Sequence, residues 1–264
     1  MNIVVCVKQV PDTAQVKLDP VKHTLIREGV DNILNPFDGQ ALETALILKE
    51  KTGAKVTVVS MGPPQAAEVL RDAISRGADE AYLLCDRAVA GSDTLATSTA
   101  LAGLIKSLGQ VDLILCGKQA IDGDTAQVGP EIAERLGIPQ VTDSLKVSYE
   151  GDRFLVNRET EERAQTLAVP SPVLITVNRA EKDLRFPSIK GKMKARRMEI
   201  PMKTASELQI DTQEVGLNGS PTKVLKVFSP EVPQIESQII NEENSDLAVD
   251  QLLEKLVAAG IVKR

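Results

Sequence analysis

Short apolar runs rich in β-branched residues, separated by longer helical patterns, restrict this chain more than any other feature. The runs fall at 3–7, 55–60, 81–85, 113–116 and 173–177. Between them lie helical patterns at 39–51, 64–76, 93–108 and 127–136. In the first of these, Ala41, Leu42, Ala45, Leu46 and Leu48 keep a period close to 3.6 residues. Runs that are apolar almost throughout are strands buried on both faces, which means parallel pairing with helices on each side. The expected fold class is therefore α/β: an open, mostly parallel sheet flanked by helices, joined by right-handed crossovers.

Two stretches break the alternation. Segments 145–147 and 154–156 flank Glu150, Gly151 and Asp152, a turn signature that predicts a hairpin, and 163–169 adds a further strand before Pro170 and Pro172. From Pro201 to about Glu243 the chain carries Pro221, Pro230 and Pro233 with weak periodicity, as expected of an extended arm. Helix character resumes at 246–259, with Gly260 placed as a C-cap. The domain expectation is an α/β unit over 1–200 and an arm plus helix over 201–264. The arm either packs on its own chain or reaches a partner subunit.

Composition removes several function classes. The 264 residues include two Tyr, four Phe and no Trp, too few for a reader that stacks bases on aromatic platforms. Thirty-one Lys and Arg against 37 Asp and Glu give a net charge of −6, which argues against nucleic acid as a partner. No apolar run reaches the length of a membrane span, and the start MNIVVCVKQVP lacks the pattern of a signal peptide. Cys6, Cys85 and Cys116 are odd in number and sit in apolar runs. They read as buried thiols of a reducing, cytoplasmic protein. The single His, His23, lies in a turn-like segment, so no Ser-His-Asp triad is expected. Metal-ligand spacings such as C-x-x-C are absent, and no metal site is expected. Neither G-x-G-x-x-G nor the Walker loop occurs.

What remains is the carboxyl edge of the sheet, where open α/β folds bind ligands. Segments 8–13, 61–64, 91–98 and 117–130 fall there. The last combines small residues, hydroxyls, glycines and a helix N-terminus, a set that offers backbone N–H groups to a pyrophosphate or ribose. Asp93 before Thr94 reads equally as an N-cap that needs no ligand.

The run 122–142 (DGDTAQVGPEIAERLGIPQVT) resembles the signature of the electron transfer flavoprotein β subunit. The segments 4–12, 34–38, 61–63 and 117–122 resemble it too, in order along the chain. The resemblance implies a heterodimer with an α subunit that carries FAD, and a nucleotide site in this chain holding AMP or, in electron-bifurcating members, a second FAD. Carried over, that site uses Cys6, Lys8, Asn35, Pro36, Phe37, Asp38, Met61, Asp124, Thr125, Ala126, Gln127, Val128 and Gly129. The loop 91–98 is similar to the bifurcating form, which adds Asp93, Thr94 and Thr97 beside a flavin. Bifurcation would take hydride from NADH and send electrons to ferredoxin and, through the α-subunit FAD, to a partner dehydrogenase of acyl-CoA or 2-hydroxyacid type. Segment 183–195 resembles the loop that docks this dehydrogenase, with Leu184, Ile189, Lys192 and Lys194 as contacts. The basic run from Lys190 to Arg197 reads either as a solvated strand face or as an electrostatic docking aid.

Overall fold

The computed structural model describes residues 1–12, 17–18, 25–26, 31–225 and 237–263; His23 and Thr13 lie outside them. The chain divides into two units, Met1–Lys226 and Val227–Arg264.

The first unit opens with β1 (Asn2–Cys6), β2 (Gln9–Pro11), β3 (Lys17–Leu18), β4 (Leu25–Ile26) and β5 (Asn32–Leu34). Then follow α1 (Pro36–Thr52), β6 (Lys55–Met61), α2 (Ala67–Arg76), β7 (Glu80–Leu84), α3 (Thr94–Ser107), β8 (Leu113–Gly117) and α4 (Val128–Leu136). The unit ends with β9 (Gln140–Glu150), β10 (Arg153–Glu159), β11 (Ala164–Pro170), β12 (Val173–Val177), α5 (Ile189–Arg197), β13 (Met202–Lys203) and α6 (Gly216–Gly219). Nine strands form one sheet in the order β11-β10-β9-β12-β8-β1-β6-β7-β13, while β2 pairs with β5 and β3 with β4. All pairings from β9 to β13 through β12, β8, β1, β6 and β7 are parallel, and β9, β10 and β11 make the antiparallel extension. The α/β class read from the alternation is the observed one.

Strand β1 shows why its sequence is apolar throughout. Ile3, Val5 and Val7 join the core beneath α1 and α2, while Val4 and Cys6 join a second core beneath α3 and α4. Each fully buried Val or Ile contributes about 1.5–3 kcal/mol, and a polar residue on either face would forfeit that. Helix α1 begins at Pro36, three residues before the periodic pattern, because proline at the first helical position needs no N–H partner there.

The unit boundary differs from the expected one. Residues 201–225 belong to the α/β unit because Met202 and Lys203 pair with Leu83 and Leu84 at the sheet edge. Ala205 and Val215 are also buried in the second core. The basic run is a helix and not a strand face. Ser188 caps α5 by accepting from the Gly191 N–H at 2.9 Å, and α5 lies so close to α2 that a Cβ at Gly191 would sit 2.0 Å from the Ser75 carbonyl oxygen.

The second unit contains α7 (Ser245–Ala258), capped by Asn244 and followed by Gly260 in the left-handed region. Its Leu247, Val249, Leu252 and Leu253 are exposed. Among the described residues, no helix is long and apolar enough to cross a membrane.

Candidate functional site

The chain leaves β1 toward β6 and β7 on one side and returns through β8 to β12 on the other. The strand order therefore reverses between β1 and β8, and a crevice opens there at the carboxyl edge. It encloses a cavity of about 250 Å³, with Cys6, Lys8 and Asp38 on the β1 side and Cys116 to Ala120 after β8. Met61, Ser92, Thr97 and Leu101 line it as well, as do Thr125 to Val128. A larger cavity of about 490 Å³ lies at the amino ends of β1, β6 and β7. Its Lys55 and Glu80 are satisfied by each other at 2.6 Å, whereas the smaller cavity faces an uncapped helix.

Two side chains hold the crevice together from behind. Asp38, in the first turn of α1, accepts from the Lys8 N–H at 2.8 Å and the Gly117 N–H at 3.1 Å, so one carboxylate ties the ends of β1 and β8. Burial pushes its pKa up to about 7, against the lowering effect of hydrogen bonds from Lys8, Asn35 and Gly117. Asn35 is fully buried, donates to the Gln119 carbonyl at 2.8 Å and accepts from the Ile121 N–H at 3.2 Å. A Cβ on Gly117 would meet Asp38 Oδ1 at 2.4 Å and the Phe37 backbone at 2.6 Å, so glycine is required where α1 abuts β8.

The loop from Lys118 to Gln127 is the chemically distinctive wall. Asp124 and Ala126 both take positive φ, an unfavourable region for residues with a Cβ, and they turn the chain into the start of α4. No side chain caps α4, so its first N–H groups are left for an anionic ligand. The loop is tethered by the Gln119 side chain on Asp124 and by Lys8 Nζ, which donates to both Asp122 carboxylate oxygens at 2.7 and 2.8 Å. This ion pair is half exposed, so Lys8→Ala is expected to cost under about 1 kcal/mol of global stability in urea unfolding. The same variant should speed amide exchange across 119–127 severalfold; unchanged exchange would remove the tether from the account.

The structure sorts the expected ligand contacts. Cys6, Lys8, Asp38, Met61, Thr97, Thr125, Ala126, Gln127 and Val128 line the cavity. Asn35, Pro36, Phe37, Asp93, Thr94, Asp124 and Gly129 do not. Asp93 caps α3 through the Ala96 N–H at 3.1 Å and clamps Thr222 through its N–H and hydroxyl at 3.0 and 2.8 Å. Burial raises its pKa, but these hydrogen bonds outweigh it and hold the carboxyl below the usual range. Its oxygens are thus committed inside the fold. The Thr94 hydroxyl lies against Gln127 and Glu131, linking α3 to α4. Gly129 lets α4 approach β12, since a Cβ there would lie 2.8 Å from Thr176.

Sequence reasoning missed Leu101 and Cys116, whereas Ser92 and 117–120 lie in the segments 91–98 and 117–130 already placed at the carboxyl edge, though not singled out there as contacts. Cys116 stands in register opposite Cys6, and the hydrogen bond with Cys6 together with burial raises its thiol well above the ordinary range.

The docking residues also divide. Ile189 is 83% and Phe186 93% exposed, and Lys192 is exposed. Leu184 is half-buried against the α1 core, and Lys194 Nζ donates to the Ala78 and Asp79 carbonyls at 3.1 and 3.2 Å, so these two serve the fold.

An open α/β sheet with a crevice and an uncapped helix at its switch point is the arrangement in which folds of this class bind ligands. Residues 22–208 match the family described as "Electron transfer flavoprotein domain". The "Electron transfer flavoprotein subunit beta" of Megasphaera elsdenii is 54% identical over 272 residues, covering 99% of this chain and 100% of the relative. "Caffeyl-CoA reductase-Etf complex subunit CarD" of Acetobacterium woodii is 46% identical over 97% of this chain and 99% of its own. "Protein FixA" of Azotobacter vinelandii is 46% identical over 93% and 90%. The chain belongs to the electron transfer flavoprotein β-subunit family.

Proposed function

We propose that this chain is the β subunit of an electron-bifurcating electron transfer flavoprotein and holds FAD in the switch-point crevice. The observation that carries this reading is the extent of the cavity. It joins the uncapped start of α4 to Met61, Thr97 and Leu101, which set a hydroxyl and two apolar side chains beside the place for a phosphate. The residues fit the group. The N–H donors of α4 suit the pyrophosphate, Met61, Leu101 and Val128 offer apolar contact to a ring, and Thr97 offers a hydroxyl to its polar edge, whereas the Ser92 hydroxyl is taken by the Val89 carbonyl and the Gly216 N–H. Bound FAD supplies hydride acceptance from NADH and release of electrons one at a time. The chain binds and orients it, and buries its pyrophosphate against backbone donors. A bound AMP is the second reading, favoured by an enclosed volume of about 250 Å³, below the range of about 300–1,000 Å³ usual for complete small-molecule sites.

In this reading the exposed apolar residues of α7 lie against an α subunit, and the complex name carried by the Acetobacterium relative supports a CoA-ester enzyme as the kind of electron partner. Ile189 and Phe186, flanked by the lysines of α5, form the docking contact for that dehydrogenase. Basic side chains around an apolar anchor speed encounter with an acidic partner. Ile189→Ala should lower electron transfer to the dehydrogenase about tenfold while NADH oxidation with an artificial dye is unchanged; loss of both would remove the docking role.

Anaerobic assay of the complex with NADH, ferredoxin and the dehydrogenase tests the whole reading. Ferredoxin should be reduced only while the dehydrogenase's acceptor substrate is present. Absence of NADH-dependent ferredoxin reduction in an intact, flavin-loaded complex would overturn it.

A further inference from the structure

The segment before α3 is tied to the end of the α/β unit by two aspartates that share one arrangement. Asp86 accepts from the Ala88 N–H at 3.0 Å with one oxygen, capping its own segment, and from the Ala205 N–H at 2.9 Å with the other. Asp93 likewise spends one oxygen on the Ala96 N–H and the other on the N–H and hydroxyl of Thr222. Around Asp93 the strap 216–222 adds further bonds. The Asp93 N–H donates to Ser220 Oγ at 2.8 Å, and the Gly216 N–H donates to Ser92 Oγ at 2.9 Å. Gly216 presses close to the same segment, since a Cβ there would lie 2.1 Å from the Ala88 carbonyl oxygen. Apolar packing adds little. Leu217 lies against Gly91 yet is 73% exposed, and Val224 and Leu225 beyond it are exposed too. A stretch held by hydrogen bonds with few buried apolar contacts belongs to the part of a fold that opens most readily.

What the strap holds borders the crevice. Ser92, Thr97 and Leu101 line the cavity, and the Thr97 N–H donates to the Asp93 carbonyl at 2.9 Å. Leu101 follows Thr97 by four residues, so the two stand on one face of α3. We propose that residues 216–222 form a latch on ligand exchange, with Asp93 as its positioning residue. With the strap in place, Ser92 and the first turns of α3 are fixed against the bound ligand. With the strap released, they are free to move and the ligand exchanges. Asp93 touches no ligand itself and acts through Ser92 and Thr97. Asp86 makes the equivalent bond to the C-terminal part of the unit at Ala205, but neither residue lines the cavity, so that tether serves the fold alone. That the retained ligand is a nucleotide rests on the function proposed above.

The test uses the complex with the α subunit, freed of its crevice nucleotide and reloaded with radiolabelled ADP, a part of FAD that itself contains AMP. Asp93→Ser keeps an oxygen for the cap, where serine and aspartate serve about equally, but has no second oxygen for Thr222. Release of labelled ADP into excess unlabelled ADP should speed about tenfold in this variant, the effect of losing one hydrogen bond to a charged group. Thr222→Val, a change on the exposed strap that keeps the N–H bond, should speed release about threefold and carries the test where Asp93→Ser fails to assemble. Asp86→Ser should leave release unchanged. In the nucleotide-free complex, amide exchange across 92–101 should quicken in Asp93→Ser and Thr222→Val. Unchanged exchange there would overturn the latch, as would equal acceleration of ADP release by Asp86→Ser. Quicker exchange with unchanged release, in a complex whose ADP protects 92–101, would overturn it too. ADP that protects neither 92–101 nor 119–128 in the unmutated complex would refute the placement of the nucleotide, and the exchange of 92–101 without nucleotide would still decide whether the strap holds that segment.

Discussion

Arg185→Ala is expected to destabilise the α/β unit by about 3–5 kcal/mol, the cost of leaving a buried carboxylate without its cation. The carboxylate is that of Glu43, which sits mid-helix in α1 with a side chain only 3% exposed. Arg185 reaches it with Nη2 at 2.8 Å and Nε at 3.0 Å, and the Arg185 N–H adds a third bond at 3.0 Å. The hydrogen bonds that the Glu43 carboxylate accepts raise the Arg185 pKa further above its already high value, so the guanidinium stays charged at any pH the fold survives. Urea unfolding should show the loss as a lower midpoint with an unchanged slope. Replacing both partners by apolar residues, Glu43→Leu with Arg185→Met, should restore much of it, because the desolvation cost disappears with the charges. A loss below about 1 kcal/mol for the single variant would show that water reaches Glu43 and that the segment after β12 is not pinned to α1.

Asp38→Ala should cost about 1–3 kcal/mol, since it strands two partly buried N–H donors at the ends of β1 and β8. It should also weaken ligand retention, because Lys8 and Gly117 both border the crevice. The pH dependence has a definite sign. With a folded pKa of about 7 against an ordinary 3.8, Asp38 keeps a proton in the fold that the unfolded chain has released. Its contribution to stability is therefore full below about pH 4 and falls as pH rises toward 7, by up to about 1.4 kcal/mol per pH unit. Asp38→Asn removes this term. The stability of the natural chain relative to that variant should decline across pH 4–7. A difference that grows with pH would mean that the two N–H donors outweigh burial and that the carboxylate is charged throughout.

The parallel core was legible because strands buried on two faces leave an unmistakable apolar run, and Ile3 to Val7 is a full example. The hairpin at Gly151 and the cap at Gly260 were legible because both glycines stand where left-handed backbone is needed. Asp93 shows where reading stopped. Its place before α3 predicted a cap, but the clamp on Thr222, 129 residues later, depends on where 216–222 comes to rest. Glu43 and Arg185 are 142 residues apart, and a helical pattern carries no trace of the partner that makes a mid-helix carboxylate tolerable. The segment 201–225 looked like a loose arm because its attachment is a two-residue strand and a few buried side chains, too short for periodicity to register. Within the crevice, the loop at 125–128 was readable from its small residues, whereas Leu101 and Cys116 become lining residues only when α3 and β8 are brought to the same edge.

The central claim is that this crevice holds FAD, and the most direct measurement is a count of FAD and AMP in the chain purified with its α subunit. The account predicts two FAD and no AMP per heterodimer. One FAD with one AMP would contradict it and make the complex a conventional carrier whose β subunit does no NADH chemistry.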